Sequence, residues 1–155
     1  MADSPRSLVR VVVPVYRELT PDEEASLRNN ARVLAAWPFT VLYPRGVMPP
    51  ACCRELGLET LAVGDEWLGR RNGIAGYNRM MLSEEFYALF ADTEYLLICH
   101  TDAWIFRDEL GDWCRRGYDC VAAPWLRRPI YELPLVRQYM GWRERMKRRR
   151  GELSR

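Results

Sequence analysis

The sequence holds one histidine, His100, and no Cys-x-x-Cys pair, which argues against a zinc centre built on thiolate and imidazole. Its five cysteines are an odd number: Cys52 and Cys53 are adjacent, and Cys99, Cys114 and Cys120 lie in apolar segments. That arrangement reads as buried, reduced thiols acting as small hydrophobes. No apolar run approaches the roughly 20 residues of a membrane span. The first apolar run is broken by Arg10 and Pro14, so the N-terminus has no signal-peptide pattern and the expected compartment is the cytoplasm. Walker-A, Gly-x-Gly-x-x-Gly and Ser/His/Asp or Cys/His nucleophile signatures are missing. RNA-recognition aromatic motifs and zinc-finger spacings are missing too, which argues against nucleic acid as a partner.

What is present is the balance of a globular chain: 48% hydrophobic and 28% charged residues over 155 positions, enough for one core. The formal charge of +2 is unevenly divided. Residues 137–155 carry seven Arg and one Lys against two Glu, a net of +6, which leaves −4 for the rest.

Leu8 to Val13 is a near-continuous β-branched run, the pattern of a strand buried on both faces in a parallel sheet. Thr20-Pro21-Asp22-Glu23 is a helix start, with Thr20 as N-cap, Pro21 in the first turn and Glu23 closing a capping box. Leu27, Ala31, Leu34 and Ala35 then mark one face of a helix running to about Trp37. Phe39–Tyr43 predicts a second strand, Pro50–Leu56 a short helix, and Leu58–Val63 a third strand. Residues Gly64–Gly73 read as a loop. Helices are expected over Ala75–Leu82 and, capped by Ser83, through Phe90. Tyr95–Cys99 predicts a fourth strand; Asp108 caps a short helix ending at Gly117, and Tyr118–Ala123 predicts a fifth strand. Alternating strands and helices imply βαβ units and a mainly parallel sheet. The expected organisation is a Rossmann-like α/β domain over residues 1–128 and a basic helical tail over 129–155.

In open α/β sheets, ligands bind at the carboxyl ends of strands near a change in strand order. That rule selects Pro14 to Arg17, His100 to Asp102, and Pro124-Trp125. Asp102 leaves a buried strand, where a carboxylate can hold Mg²⁺ or Mn²⁺ against a diphosphate; equally, it can cap the following turn. Strand alternation puts His100 on the same side of the chain as Asp102, either as a contact to ribose, phosphate or metal, or as a hydrogen-bonded structural residue. Gly73 to Arg79 is a glycine-flanked helix entry, suited to an anion or simply to close packing. In the tail, Leu135, Tyr139, Trp142 and Met146 recur at three- to four-residue spacing beside Arg143 to Arg150. This is an amphipathic basic helix for peripheral contact with a membrane inner face, or a solvated helix end.

The ordered segments Val12-Val13-Pro14-Val15-Tyr16, Ile74 to Leu82, Phe86-Tyr87, Tyr95 to Trp104 and Gly117 to Trp125 resemble a bacterial glycosyltransferase-like family of GT-A type, catalogued mainly as a domain of unknown function. The resemblance covers roughly Val9 to Trp125. It implies that Pro14, Val15, Tyr16 and Arg17 cradle a nucleobase and that Asn78 and Arg79 lie near ribose or diphosphate. His100, Thr101 and Asp102 stand in the place of the Asp-x-Asp motif, with Asp102 as the ligand of Mn²⁺ or Mg²⁺. Pro124 and Trp125 shape the floor where donor sugar meets acceptor. The implied activity is transfer of a sugar from a nucleotide-diphosphate donor to a glycan or lipid-linked acceptor; the alternative is a non-catalytic nucleotide-sugar or glycan-binding module. Two departures stand out. His100 replaces the first Asp of many GT-A motifs, which implies weaker metal binding. The family usually continues with glycine-rich and acceptor-side elements where this chain turns basic, so no catalytic base is named and a fragment, a minimal form or a subunit completed elsewhere is expected.

Overall fold

A computed structural model of the chain describes residues 7–69, 72–122 and 133–149. Contacts divide the chain into two compact units, residues 1–118 and residues 119–155. The first holds the sheet; the second contains one long helix.

Four parallel strands form the sheet: β1 (Ser7–Pro14), β2 (Phe39–Pro44), β3 (Glu59–Val63) and β4 (Thr93–Ile98), in the spatial order β3-β2-β1-β4. β1 is central, and Val9, Val11, Val12 and Val13 are essentially inaccessible to solvent, as a strand covered on both faces requires. On one face, Val11, Val13 and Val41 pack against Leu27 and Leu34 of the α1 region and against Cys52 and Cys53. Those residues belong to α1 (Pro21–Val33) and α2 (Ala51–Glu55) and to the residue that closes α1. On the other face, Val12, Leu42 and Val63 meet Leu68, Met80 and Phe86. These come from α3 (Asp65–Leu68), α4 (Gly73–Met81) and α5 (Glu84–Ala88). The connections out to β3 thus cover one face, and the return to β4 covers the other. The resulting change of direction falls between β1 and β4.

Local chemistry explains several boundaries. Thr20 accepts from the Glu23 amide while the Glu23 carboxylate accepts from the Thr20 amide, the expected capping box with Pro21 in the first turn. α1 stops at Val33 rather than near Trp37: Leu34 closes it, its amide donating to the Asn30 carbonyl, and a turn leads to Trp37, which Pro38 keeps out of the helical region. Ser83 caps α5 by accepting from the Phe86 amide. The expected loop at 64–73 contains α3, whose acidic first turn suits a helix start and whose Leu68 is buried. α6 (Leu110–Arg115) begins one residue later than expected: Asp108 accepts from the Leu110 amide at 3.0 Å and from the Trp37 indole at 2.7 Å.

The expected fifth strand is absent over residues 118–122, and the sheet has four strands among the described residues. Tyr118 and Val121 are more than half exposed there, so no apolar burial offsets the entropy of ordering a strand. The cysteine reading also needs correction. Cys52, Cys53 and Cys99 are buried, but Cys114 is half-buried and Cys120 is exposed.

At the amino ends of the strands one side chain spans the sheet. Arg10 of β1 donates to Thr40 of β2 at 3.0 Å, to Glu59 of β3 at 2.5 Å, and to Asp92, which precedes β4, at 3.0 Å. In the second unit α7 (Pro134–Arg149) is the expected basic helix. Among the described residues no helix is long and apolar enough to cross a membrane.

Candidate functional site

The strand order makes the crevice at the carboxyl ends of β1 and β4 the place where a doubly wound sheet binds ligands. The chain leaves β1 through Pro14 to Arg17. Pro14 and Val15 are buried, and the Val15 amide donates to Leu42 at 2.8 Å, so the ladder continues past the proline. Their side chains belong to the core, so whatever Pro14 and Val15 offer the crevice comes from backbone. Tyr16 and Arg17 are the two of the four that turn outward.

The two outward residues go to different sides. Tyr16 packs edge-on to Tyr77 of α4, with ring centroids 6.1 Å apart. Tyr77 in turn meets His100, centroid to centroid at 5.4 Å, with its hydroxyl 3.0 Å from Nε2. Burial pushes the Tyr16 phenol up to about 12, with Tyr77 adding to it, and burial raises the Tyr77 phenol as well. Both therefore stay neutral at physiological pH. Asn78 and Arg79 are exposed and take no part in this group. Gly76 and Met80 set the buried line of α4, and Tyr77 flanks that line. Gly76 is needed for closeness: a Cβ there would lie 2.7 Å from the Trp67 carbonyl oxygen. The close-packing reading of these glycines thus applies at Gly76. Tyr77, inside the Gly73–Arg79 stretch and without a local signal of its own, is the α4 residue at the crevice.

Arg17 takes the α1 side. Its guanidinium grips both carboxylate oxygens of Glu23 at 2.8 and 3.0 Å, and Thr101 donates to the same carboxylate at 3.3 Å. The Thr20 amide, then Arg17, hold the Glu23 carboxyl down at about 2. Glu23 is thus a fixed anion that ties the β1 loop, the start of α1 and the turn after β4 together.

That turn is closed by the Ala103 amide donating to the His100 carbonyl at 3.1 Å. Strand alternation ends before it. His100 accordingly faces Tyr77 while Thr101 faces Glu23, and the expected shared side for His100 and Asp102 is not formed. Asp102 is exposed and makes no hydrogen bond among the described residues, so it does not cap the turn. It lines an open cleft of about 420 Å³ with Asp22, Glu23, Thr101 and Trp104. A larger hollow, about 570 Å³, lies where Arg10, Phe39 and Glu59 sit, at the amino ends of the strands. Position relative to the switch in strand order, rather than volume, favours the Asp102 cleft.

The loop leaving Asp102 is clamped by polar residues of α1. Ser26 and Asn30 donate to the Ala103 carbonyl at 2.5 and 2.7 Å. The Asn30 carbonyl oxygen accepts from the Ile105 amide at 2.9 Å, and Asn29 donates to the Ile105 carbonyl at 2.8 Å. Asn30 is 2% exposed, so this is a buried polar clamp, one that no local sequence signal announced. Among the described residues no group of three or more His, Cys, Asp or Glu could hold a metal. A hard cation such as Mg²⁺ or Mn²⁺, however, commonly takes one or two carboxylates and completes its shell with water and substrate phosphate. Asp102 fits that limited demand. Pro124 and Trp125 lie outside the described residues.

Fold and crevice together define a doubly wound α/β protein with a clamped carboxylate loop at its switch point. The chain belongs to the family described as "Protein of unknown function (DUF5672)", whose sequence profile matches residues 58–151, more than half of its length. The match takes in Tyr77, His100 and Asp102, and leaves β1 and its loop outside. No curated protein and no solved structure matches the chain.

Proposed function

We propose that this chain is the donor-binding domain of a metal-dependent glycosyltransferase of GT-A type, one that takes a nucleotide-diphosphate sugar and passes the sugar to a glycan or lipid-linked acceptor. The observation that carries the reading is Asp102: a free carboxylate on a clamped turn, at the carboxyl edge where strand order reverses. Asp102 would hold Mn²⁺ or Mg²⁺, which when bound neutralises charge on the diphosphate leaving group. Tyr16 and His100 line the neighbouring face for base or ribose, with Tyr77 fixing the His100 ring. Arg17 and Thr101 are already engaged by Glu23, so a diphosphate reaching them competes with an internal ion pair. One protein carboxylate is a weak metal site by itself, so metal and nucleotide should bind together.

A second reading, donor binding without turnover by this chain alone, is favoured by Glu23. It is one of two carboxylates that line the cleft with Asp102, the other being Asp22, and it is engaged by Arg17 and held near 2, too acidic to serve as a general base at neutral pH.

Calorimetric titration of UDP, GDP, CDP and dTDP and their sugars, with and without Mn²⁺, tests both readings. Metal-dependent micromolar binding of one nucleotide, lost in Asp102→Asn with the fold intact, is the expected result. Unchanged affinity in Asp102→Asn removes that residue from the site. Binding without sugar release or transfer, with acceptors supplied, selects the second reading.

A further inference from the structure

Helix α7 presents its large apolar residues to solvent. Leu135 is 80% exposed, Tyr139 57% and Trp142 53%, and the two aromatic rings lie 6.1 Å apart. Together with Met146 they follow a four-three-four spacing, which places all four within a narrow stripe along one side of a helix. Arg143 and Arg145 fall on opposite flanks of that stripe and are exposed. The helix as a whole carries five Arg and one Lys against one Glu.

An apolar stripe of this spacing could seat a second copy of itself, as in a coiled coil. Charge opposes that: Arg143 and Arg145 occupy the two flanking positions, where a second copy would set cation against cation. The same flanks suit an anionic surface. Tyr and Trp, apolar bodies with polar tips, belong at the boundary between hydrocarbon and water. A polyanionic nucleic acid would satisfy the cations and leave the Leu135–Met146 stripe in water.

We propose that α7 is a membrane-surface helix, lying on anionic lipid with Leu135, Tyr139, Trp142 and Met146 seated among the headgroups and Arg143 and Arg145 on lipid phosphates. This assignment is independent of the glycosyltransferase reading: it uses no residue of the Asp102 cleft and stands or falls without it.

The test is co-sedimentation of the full chain with vesicles of phosphatidylcholine, with and without phosphatidylserine, at low and at near-physiological salt. Binding should require phosphatidylserine and weaken with salt. Tyr139→Ser/Trp142→Ser should reduce partitioning about tenfold or more, and Arg143→Glu/Arg145→Glu should do likewise, with circular dichroism unchanged. These side chains are exposed, so the second pair remains informative should the first disturb the helix. Several outcomes overturn the proposal: no binding, equal binding to neutral vesicles, or binding that survives both double substitutions. So does a dimer in sedimentation that the Tyr139/Trp142 pair abolishes. Affinity for a single-stranded oligonucleotide that exceeds affinity for the anionic vesicles and ignores the Tyr139/Trp142 change also rejects it in favour of nucleic acid.

Discussion

The hydroxyl of Tyr77 lies 3.0 Å from Nε2 of His100, bridging α4 and the turn that follows β4. Tyr77 is held by helix packing and His100 by the turn after β4, so the bond fixes the orientation of the imidazole at the crevice. The phenol can donate to a bare Nε2 or accept from Nε2–H, so the bond orients the ring in either tautomer.

Tyr77→Phe deletes this bond and keeps the ring. The expected cost is about 1 kcal/mol of stability, read by thermal unfolding. Because His100 is the sole histidine, nitrogen-15 chemical shifts report its tautomer without ambiguity, and they should move in the variant. Unmoved shifts would mean that the phenol exerts no control over the ring.

Asn30→Ala strips the buried amide that serves the Ala103 carbonyl and the Ile105 amide. A half-buried Ile105 donor left without its partner costs about 1 kcal/mol, measurable by denaturant titration. On the proposed function, metal-dependent nucleotide affinity should fall as well, because the loop after Asp102 loses one of its anchors. A stability loss with affinity retained would confine Asn30 to folding.

Glu23 couples stability to acid. Its carboxyl titrates near 2 in the folded chain, against an ordinary value of 4.5. Its contribution is therefore complete above 4.5 and is lost as pH falls from there toward 2. Glu23→Gln should flatten that segment of the stability-pH curve, with neutral-pH stability reduced by loss of the Arg17 pair. An unchanged acid limb would show that other groups govern it.

The elements that sequence exposes most clearly are those whose signals are local or repeated. β1 shows itself because burial on both faces demands a near-continuous apolar run, interrupted here by Arg10 alone, and α1 because Thr20, Pro21 and Glu23 carry its start within four residues. α3 is too short to display a period, so its residues pass for a loop. Tyr118 to Val121 has strand-like composition, and solvent exposure overrides it. At the crevice, proximity to a strand end locates Tyr16, His100 and Asp102. It cannot tell that Pro14 and Val15 stay in the core, because the ladder to Leu42 extends beyond the proline. Helix phase, set by Gly76 and Met80, decides that Tyr77 rather than Asn78 faces inward. Asn30 gives no local warning, since its partners lie more than seventy residues along the chain.

Arg10 gives the sheet a base and a rim of unequal freedom. One guanidinium rivets the amino ends of the strands, as the pin of a folding fan holds its blades, while the opposite rim is closed by loops and side chains. On the proposed function, a change of ligand preference is a matter of rewriting the rim, where Tyr16, Tyr77 and the Asp102 turn lie outside the strand pairings. Substituting Arg10 would remove its side-chain ties to β2, to β3 and to the start of β4 together.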